Sequence, residues 1–314
     1  MDLTGISFHD YKCFKYAEIN NLKPINVIIG KNNIGKSSVL DIIEMIYSKD
    51  KVRNNNITLE KRLTNNDISK VFKDYMLGGG IPTSSDYEFG KLFIGKPFVF
   101  DIYKNVNGIA TRSSSSLSKY SDIYDKKYSS YWEKLAISVE YNSKNTKRIF
   151  AERNIFPEVE SESMEIDENG NGITTVITNF INKSQYNENL VKTTLLSKLN
   201  EIMGEDANFT EIITQQVKQG EINKWEIFLR EEEKWRISLS NSGSGLKTIL
   251  MVLVYTILVP EIEKQKMSNY IFMFEELENN LHPSLQRRLL KYIESLATDD
   301  CIFFSYNSFQ RCAW

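Results

Sequence analysis

Gly30-Lys31-Asn32-Asn33-Ile34-Gly35-Lys36-Ser37 is the stretch on which the reading of this chain turns. It fits G-x-x-x-x-G-K-[ST], the spacing of a loop that wraps a phosphate chain. Glycines let the backbone curl until several N–H groups point inward, and a helix starting directly afterwards adds the positive end of its dipole. Lys36 supplies a mobile cation for the outer phosphates, and the Ser37 hydroxyl suits the shell of a Mg²⁺ ion beside them. The context on either side agrees. Ile25 to Ile29 is a short apolar run of the strand type, and Val39, Leu40, Ile42, Ile43 and Ile46 follow at helical spacing. Upstream, Leu3 to Phe8 reads as extended, with Tyr11-Lys12-Cys13-Phe14 as a turn. Strand, phosphate loop and helix in this order predict an α/β domain.

The end of the chain returns to the same grammar. Tyr270 to Phe274 is a continuous apolar run that ends in Glu275-Glu276, as expected of a buried parallel strand delivering carboxylates at its C-terminal edge. There the first carboxylate serves a Mg²⁺ shell and the second orients or deprotonates an attacking water. An apolar helix over Leu246 to Leu258, a helix over Pro283 to Leu296 and a strand over Cys301 to Ser305 complete this part. Ahead of the first helix, Leu239-Ser240-Asn241-Ser242-Gly243-Ser244-Gly245 reads as a second anion site or as a plain helix cap. The order of phosphate loop, serine-glycine loop and acidic strand favours the first, because an enzyme with one self-contained phosphate loop has no need of the second loop.

Between these parts, residues 56–235 read as a large α+β insertion dividing the α/β domain into 1–55 and 236–314. A Gly78-Gly79-Gly80 break and a Ser113 to Ser116 tract separate strand candidates at Phe98 to Tyr103 and Ala136 to Tyr141. Val176 to Ile181 and Leu190 to Ile202 have helical periodicity, and Trp225, Ile227 and Leu229 alternate into Trp235, Ile237 and Leu239 as a hairpin with Glu231 to Glu233 at its tip. Asp167 to Gly172 opens like a Ca²⁺ loop, but Thr178 stands where the bidentate glutamate is needed, so a turn is expected.

Composition removes other classes. With 314 residues, 41% hydrophobic and 25% charged, the chain is an ordinary folded protein. Lys plus Arg at 39 against Asp plus Glu at 41 leaves no global basic field for nucleic acid or membrane. Cys13, Cys301 and Cys312 form neither a disulfide framework nor a zinc site, and fit a reducing cytoplasm. His9 and His282 alone exclude a histidine-rich metal centre. Met1 to Asp10 has no signal-peptide layout, and the longest apolar run, Thr248 to Pro260, is short of the ~20 residues of a membrane span.

Taken together, these motifs resemble the ATP-binding-cassette ATPase heads of the RecF/SMC type, and most closely the overcoming-lysogenization-defect (OLD) family and related AAA ATPases of bacterial anti-phage systems. Gly30 to Ser38 is similar to the family's first phosphate motif, and Ser242-Gly243-Ser244-Gly245 to its signature loop. Phe274-Glu275-Glu276-Leu277-Glu278-Asn279-Asn280-Leu281-His282-Pro283 is similar to its acidic segment; the middle matches loosely, through Ala151-Glu152-Arg153. The resemblance implies a P-loop NTPase fold, a mixed sheet flanked by helices, and ATP with Mg²⁺ held between two copies. Gly30, Asn32, Asn33, Gly35, Lys36, Ser37 and Ser38 would cradle ATP from one copy, with Ser242, Gly243, Ser244 and Gly245 from the other. Ser37 and Glu275 would hold the metal, Glu276 and Lys36 would act in hydrolysis, and Lys12 would lie near the nucleotide. It further implies a homodimer, with DNA and a nuclease or effector protein as partners.

Three departures accompany it. No glutamine precedes Gln185, so the family's metal-sensing glutamine is missing from its region, where Asn66 and Asp67 are the polar replacements. Leu277 replaces a proline, and Tyr306-Asn307-Ser308 stands where a Thr-His-Ser switch is usual, which predicts slow turnover or a nucleotide-binding scaffold. The sequence ends at Trp314, which leaves no room for the Toprim nuclease of OLD proteins and raises the expectation of a truncated ATPase-nuclease.

Overall fold

The computed structural model describes residues 3–47, 57–72, 86–105, 108–115, 128–138, 144–232, 235–297 and 302–307. Gly78 to Gly80, Ser116, Glu233, Ser308 and the residues after it lie outside the described residues. The chain divides into two units, residues 1–24 with 33–145 and residues 25–32 with 146–314.

The first unit is built on an antiparallel sheet in the order β2-β1-β4-β5-β6, comprising β1 (Leu3–Tyr11), β2 (Phe14–Asn20), β4 (Ile57–Arg62), β5 (Pro97–Asn105) and β6 (Gly108–Ser113). Its buried face follows from the two-residue repeat: Phe8, Ile57 and Ile102 lie in one cross-strand row, and Ile6, Leu59 and Phe100 in the next. Each of these six is at most 2% exposed. Lys61 continues the buried positions of β4 and is neutralised by Asp67 at 2.9 Å. Asp67 also accepts the Thr64 backbone N–H and hydroxyl at 2.8 and 2.7 Å, closing the N-terminus of α2 (Asn65–Val71) with a capping box. Burial alone would raise the Asp67 pKa, but these hydrogen bonds and the Lys61 charge hold it below the ordinary carboxylate value. With its carboxylate so engaged, Asp67 is no stand-in for the missing glutamine.

Two expectations for this unit are corrected. Ala136 to Tyr141 is not a strand over its described part: α4 (Ser129–Ser138) buries Trp132, Leu135 and Ala136 at helical spacing, and Tyr131 stacks on Phe72 at 4.7 Å. The strand β2 after the Lys12-Cys13 turn was not foreseen, because its side chains are exposed or half-buried throughout.

The second unit holds a four-stranded sheet ordered β3-β12-β11-β7, from β3 (Ile25–Gly30), β12 (Ile302–Asn307), β11 (Tyr270–Glu275) and β7 (Asn145–Ile149). β3, β12 and β11 are parallel, so their C-terminal ends meet one edge. A three-stranded antiparallel sheet contains β8 (Phe209–Gln219), β9 (Ile222–Glu231) and β10 (Ile237–Ser238). The expected hairpin is its β9-β10 half, with Leu229 opposite Ile237; β8 had no apolar alternation to announce it.

Helices α5 (Ile173–Asn182), α6 (Leu196–Met203), α7 (Ser244–Leu253), α8 (Val259–Glu263) and α9 (Pro283–Leu296) surround these sheets. Helix α7 runs through a π-helical turn, Val254–Leu258, into α8, where Pro260 in the first turn cannot donate a backbone N–H. The 20-residue run Ser244–Glu263 is long and apolar enough to cross a membrane, beyond the dozen residues the sequence suggested. Its residues Ile249 to Val254 are instead fully buried in the core of this unit. Asp167 to Gly172 forms the expected turn, with the Asp167 carboxylate accepting the backbone N–H groups of Asn169 and Asn171 at 2.9 Å.

Candidate functional site

The phosphate-loop sequence leaves β3 at Gly30 and turns through Asn32 and Asn33, the latter at φ +63°. It enters helix α1 (Lys36–Tyr47) after Gly35 at φ +101°. Two constraints meet at Gly35: the left-handed backbone and a lack of space, since a Cβ there would lie 2.6 Å from Cys13 Sγ and 2.6 Å from the Phe14 ring. Cys13 Sγ faces the Ile34 carbonyl at 3.8 Å, so the β1-β2 turn props this half of the loop. Lys12 is ion-paired with Asp41 of α1, which Tyr11 Oη also reaches at 3.3 Å. Lys36 opens the helix and is only 8% exposed; Ser37 is exposed and Ser38 buried.

In the second unit the parallel register places Asn307 opposite Gly30 and Ser305 opposite Glu275. The strand leading into the phosphate loop, the switch strand and the acidic strand therefore end along one sheet edge, as expected of ligand sites in open α/β sheets.

Glu275 closes β11, and its Oε1 accepts Arg148 Nε at 2.7 Å and Nη2 at 2.5 Å. Both side chains of this charge-assisted pair are largely buried. Arg153 reaches the same point from the loop after β7: Nη2 donates to the Glu275 carbonyl at 2.5 Å, and Nη1 approaches the Glu276 carbonyl at 3.5 Å. Burial pulls the Arg153 pKa down to about 10, opposed by the charges of Glu278, Glu276 and Glu275, so the group stays cationic at neutral pH. Glu276 occupies the left-handed region at φ +48°, and its carboxylate accepts Asn279 Nδ2 at 2.6 Å. The Leu281-His282-Pro283 turn is held by Gln286 Nε2, which donates to the carbonyls of Glu278 and Leu281 at 3.1 and 3.0 Å. Leu277, in place of the usual proline, is buried in the core.

The serine-glycine loop is equally ordered. Ser240 donates through its hydroxyl and backbone N–H to buried Glu226 of β9, and Lys247 Nζ donates to the Ser240 carbonyl at 2.7 Å. The Ser242 hydroxyl donates to the Leu239 carbonyl at 2.7 Å, and Gly243 caps α7, which begins at exposed Ser244. The two glycines differ in their surroundings. Around Gly243 a Cβ would meet nothing within 4 Å, whereas at Gly245 it would lie 2.8 Å from the Asn280 carbonyl oxygen. Gly245→Ala is therefore expected to destabilise the protein by about 1–3 kcal/mol. Gly243→Ala, which loses only a favourable cap residue, should cost less than about 1 kcal/mol, and denaturant unfolding of both variants checks the contrast.

The Ser37 hydroxyl in the first unit and the Glu275 carboxylate in the second are each oxygen donors of the kind Mg²⁺ takes, and Arg148 already shares the Glu275 carboxylate. No cluster of three or more His, Cys, Asp or Glu able to hold a metal occurs among the described residues, so a Mg²⁺ ion on either donor would need phosphate oxygens and water in its shell. Arg148 and Glu226 were missed in the sequence: their partners lie 127 and 14 positions further on, beyond any local pattern.

No curated protein matches the chain. Solved structures similar to it include the SMC head domain from Thermotoga maritima, at 12% identity and a TM-score of 0.43, covering 98% of this chain and 90% of that one. An SMC head bound to the C-terminal winged-helix domain of ScpA has 10% identity and a TM-score of 0.49, covering 100% and 91%. An Smc head with an extended coiled coil bound to a ScpA C-terminal domain derived from Pyrococcus furiosus has 11% identity and a TM-score of 0.43, covering 98% and 90%. Residues 1–77 and 99–303 match the model of the AAA ATPase domain, a span that takes in the phosphate loop, both arginines, the serine-glycine loop and the acidic strand. By that match over most of its length, the chain belongs to the AAA ATPase domain family.

Proposed function

We propose that this chain is an ATP-hydrolysing head of the ABC type that closes in pairs around ATP and Mg²⁺. The observation that carries the reading is the shared edge of β3, β12 and β11, where Gly30 lies opposite Asn307 and Glu275 opposite Ser305, two residues earlier on the same strand. In this reading Gly30 to Ser38 cradles the phosphates, with Lys36 on the outer ones, and Ser37 and Glu275 hold Mg²⁺, which neutralises charge on the phosphoryl group. Glu276 takes the proton of the attacking water. The open N-terminus of α7 at Gly243 and Ser244 meets the γ-phosphate bound by the second copy, with Ser242 and Gly245 shaping the loop. Its setting is a cytoplasmic, DNA-linked or anti-phage assembly with a nuclease or effector protein as partner.

A second reading, an ATP-binding assembly subunit with little turnover, is favoured by the Arg148 ion pair already on Glu275. Phosphate release separates the two. The wild type is expected to turn over well below the typical enzyme value of about 10 per second, and Asn307→His to raise the rate. Background-level release from both proteins would leave only the assembly reading. A wild type already near that value, with no response to Asn307→His, would remove position 307 from the mechanism.

A further inference from the structure

The acidic turn after β11 has a backbone problem that its own residues do not solve. Glu276 adopts φ +48°, a conformation in which an L side chain is strained, and it does so at the position whose carboxylate must be aimed. Asn279 restrains one side, through its backbone N–H on the Glu276 carbonyl at 3.1 Å and its side-chain amide on the carboxylate at 2.6 Å. The other restraint comes from far away in sequence. The Arg153 fork lies across two successive carbonyls, with its main bond to Glu275 and a longer contact to Glu276, and its Nε is buried with no hydrogen-bond partner among the described residues. A planar, rigid guanidinium bridges two acceptors as a flexible ammonium does not.

We infer that Arg153 is a positioning residue for hydrolysis: by gripping the Glu275 and Glu276 carbonyls it locks the left-handed turn that aims the Glu276 carboxylate. This rests on the reading of Glu276 as the group that activates water. Arg153 touches no reacting atom in this scheme, so its removal should lower kcat and leave KM for ATP nearly unchanged.

The test is steady-state hydrolysis by the full chain and its Arg153→Met, Arg153→Lys, Glu276→Gln and Arg153→Met/Glu276→Gln variants, each with its thermal unfolding midpoint. A misaimed reacting group can cost on the order of a hundredfold, so Arg153→Met is expected to lose about 30- to 100-fold in kcat, with KM within about threefold. Arg153→Lys, which keeps the charge and one donor, should recover part of that loss. In the Glu276→Gln background, Arg153→Met should change the residual rate by less than about twofold, because the two residues act as one unit.

Arg153→Met within about threefold of the wild-type kcat, or a loss of the same size in the Glu276→Gln background, would overturn the inference. If Arg153→Met does not fold, Arg153→Lys decides, and a wild-type kcat from that variant overturns it. Glu276→Gln hydrolysing at the wild-type rate overturns the underlying reading instead, and Arg153's role falls with it.

Discussion

Lys36→Met should bind ATP at least about a hundredfold more weakly than the wild type, a loss of about 2.7 kcal/mol, while remaining folded. The large effect follows from the position of the ammonium at the first turn of α1, directly after the Gly35 bend, where the motif places the cation that meets the outer phosphates. Methionine is the informative replacement because Lys36 is nearly buried, so truncation to alanine would add a cavity to the loss of charge. Methionine keeps most of the volume and should cost less than about 1.5 kcal/mol of stability. Equilibrium titration with a fluorescent ATP analogue, together with thermal unfolding, measures both quantities. An affinity within about threefold of wild type would remove Lys36 from the phosphate site.

Glu276→Gln is expected to lower hydrolysis by about a hundred- to a thousandfold with ATP affinity unchanged, as removal of a positioned general base does. The amide keeps the shape, and its oxygen can still accept the Asn279 side-chain bond, so the left-handed turn survives. What it lacks is proton affinity. If the heads pair on ATP as proposed, the variant then loses its route to opening and accumulates as a closed pair. Phosphate release and nucleotide affinity measured on the same preparation separate this loss from one of binding, and an unchanged rate would move the base elsewhere.

Much of this was legible in the chain itself. The bounds of α9 coincide with the expected Pro283 to Leu296, because His282 caps it through Nδ1 and Pro283 pre-sets the first turn. The acidic strand was equally clear, since a strand buried on both faces is apolar at every position from Tyr270 to Phe274. The ATPase-head resemblance drawn from three short motifs is borne out by the family match, which also extends through the middle of the chain.

What the sequence hid was tertiary. β2 and β8 present mostly solvent-facing side chains, so neither shows the alternation of a half-buried strand. Ala136 lies in a helix because Trp132 and Leu135 bury with it, a choice made by packing against neighbours. At the site, the hidden part was the set of residues that hold others: Arg148 on Glu275, Glu226 on Ser240, and the Cys13-Phe14 turn against Gly35. Motifs record the groups that meet a ligand, whereas their supports come from distant segments and have no fixed spacing.

The pairing of heads around ATP is tested most directly by the mass of Glu276→Gln protein in solution, measured by light scattering on a sizing column with and without ATP and Mg²⁺. The account predicts the mass of one chain without nucleotide and of two chains with it, and no such doubling for Gly243→Arg introduced alongside, since a long side chain in that open space blocks the partner's phosphate. A single-chain mass for Glu276→Gln at saturating ATP and Mg²⁺ would contradict it.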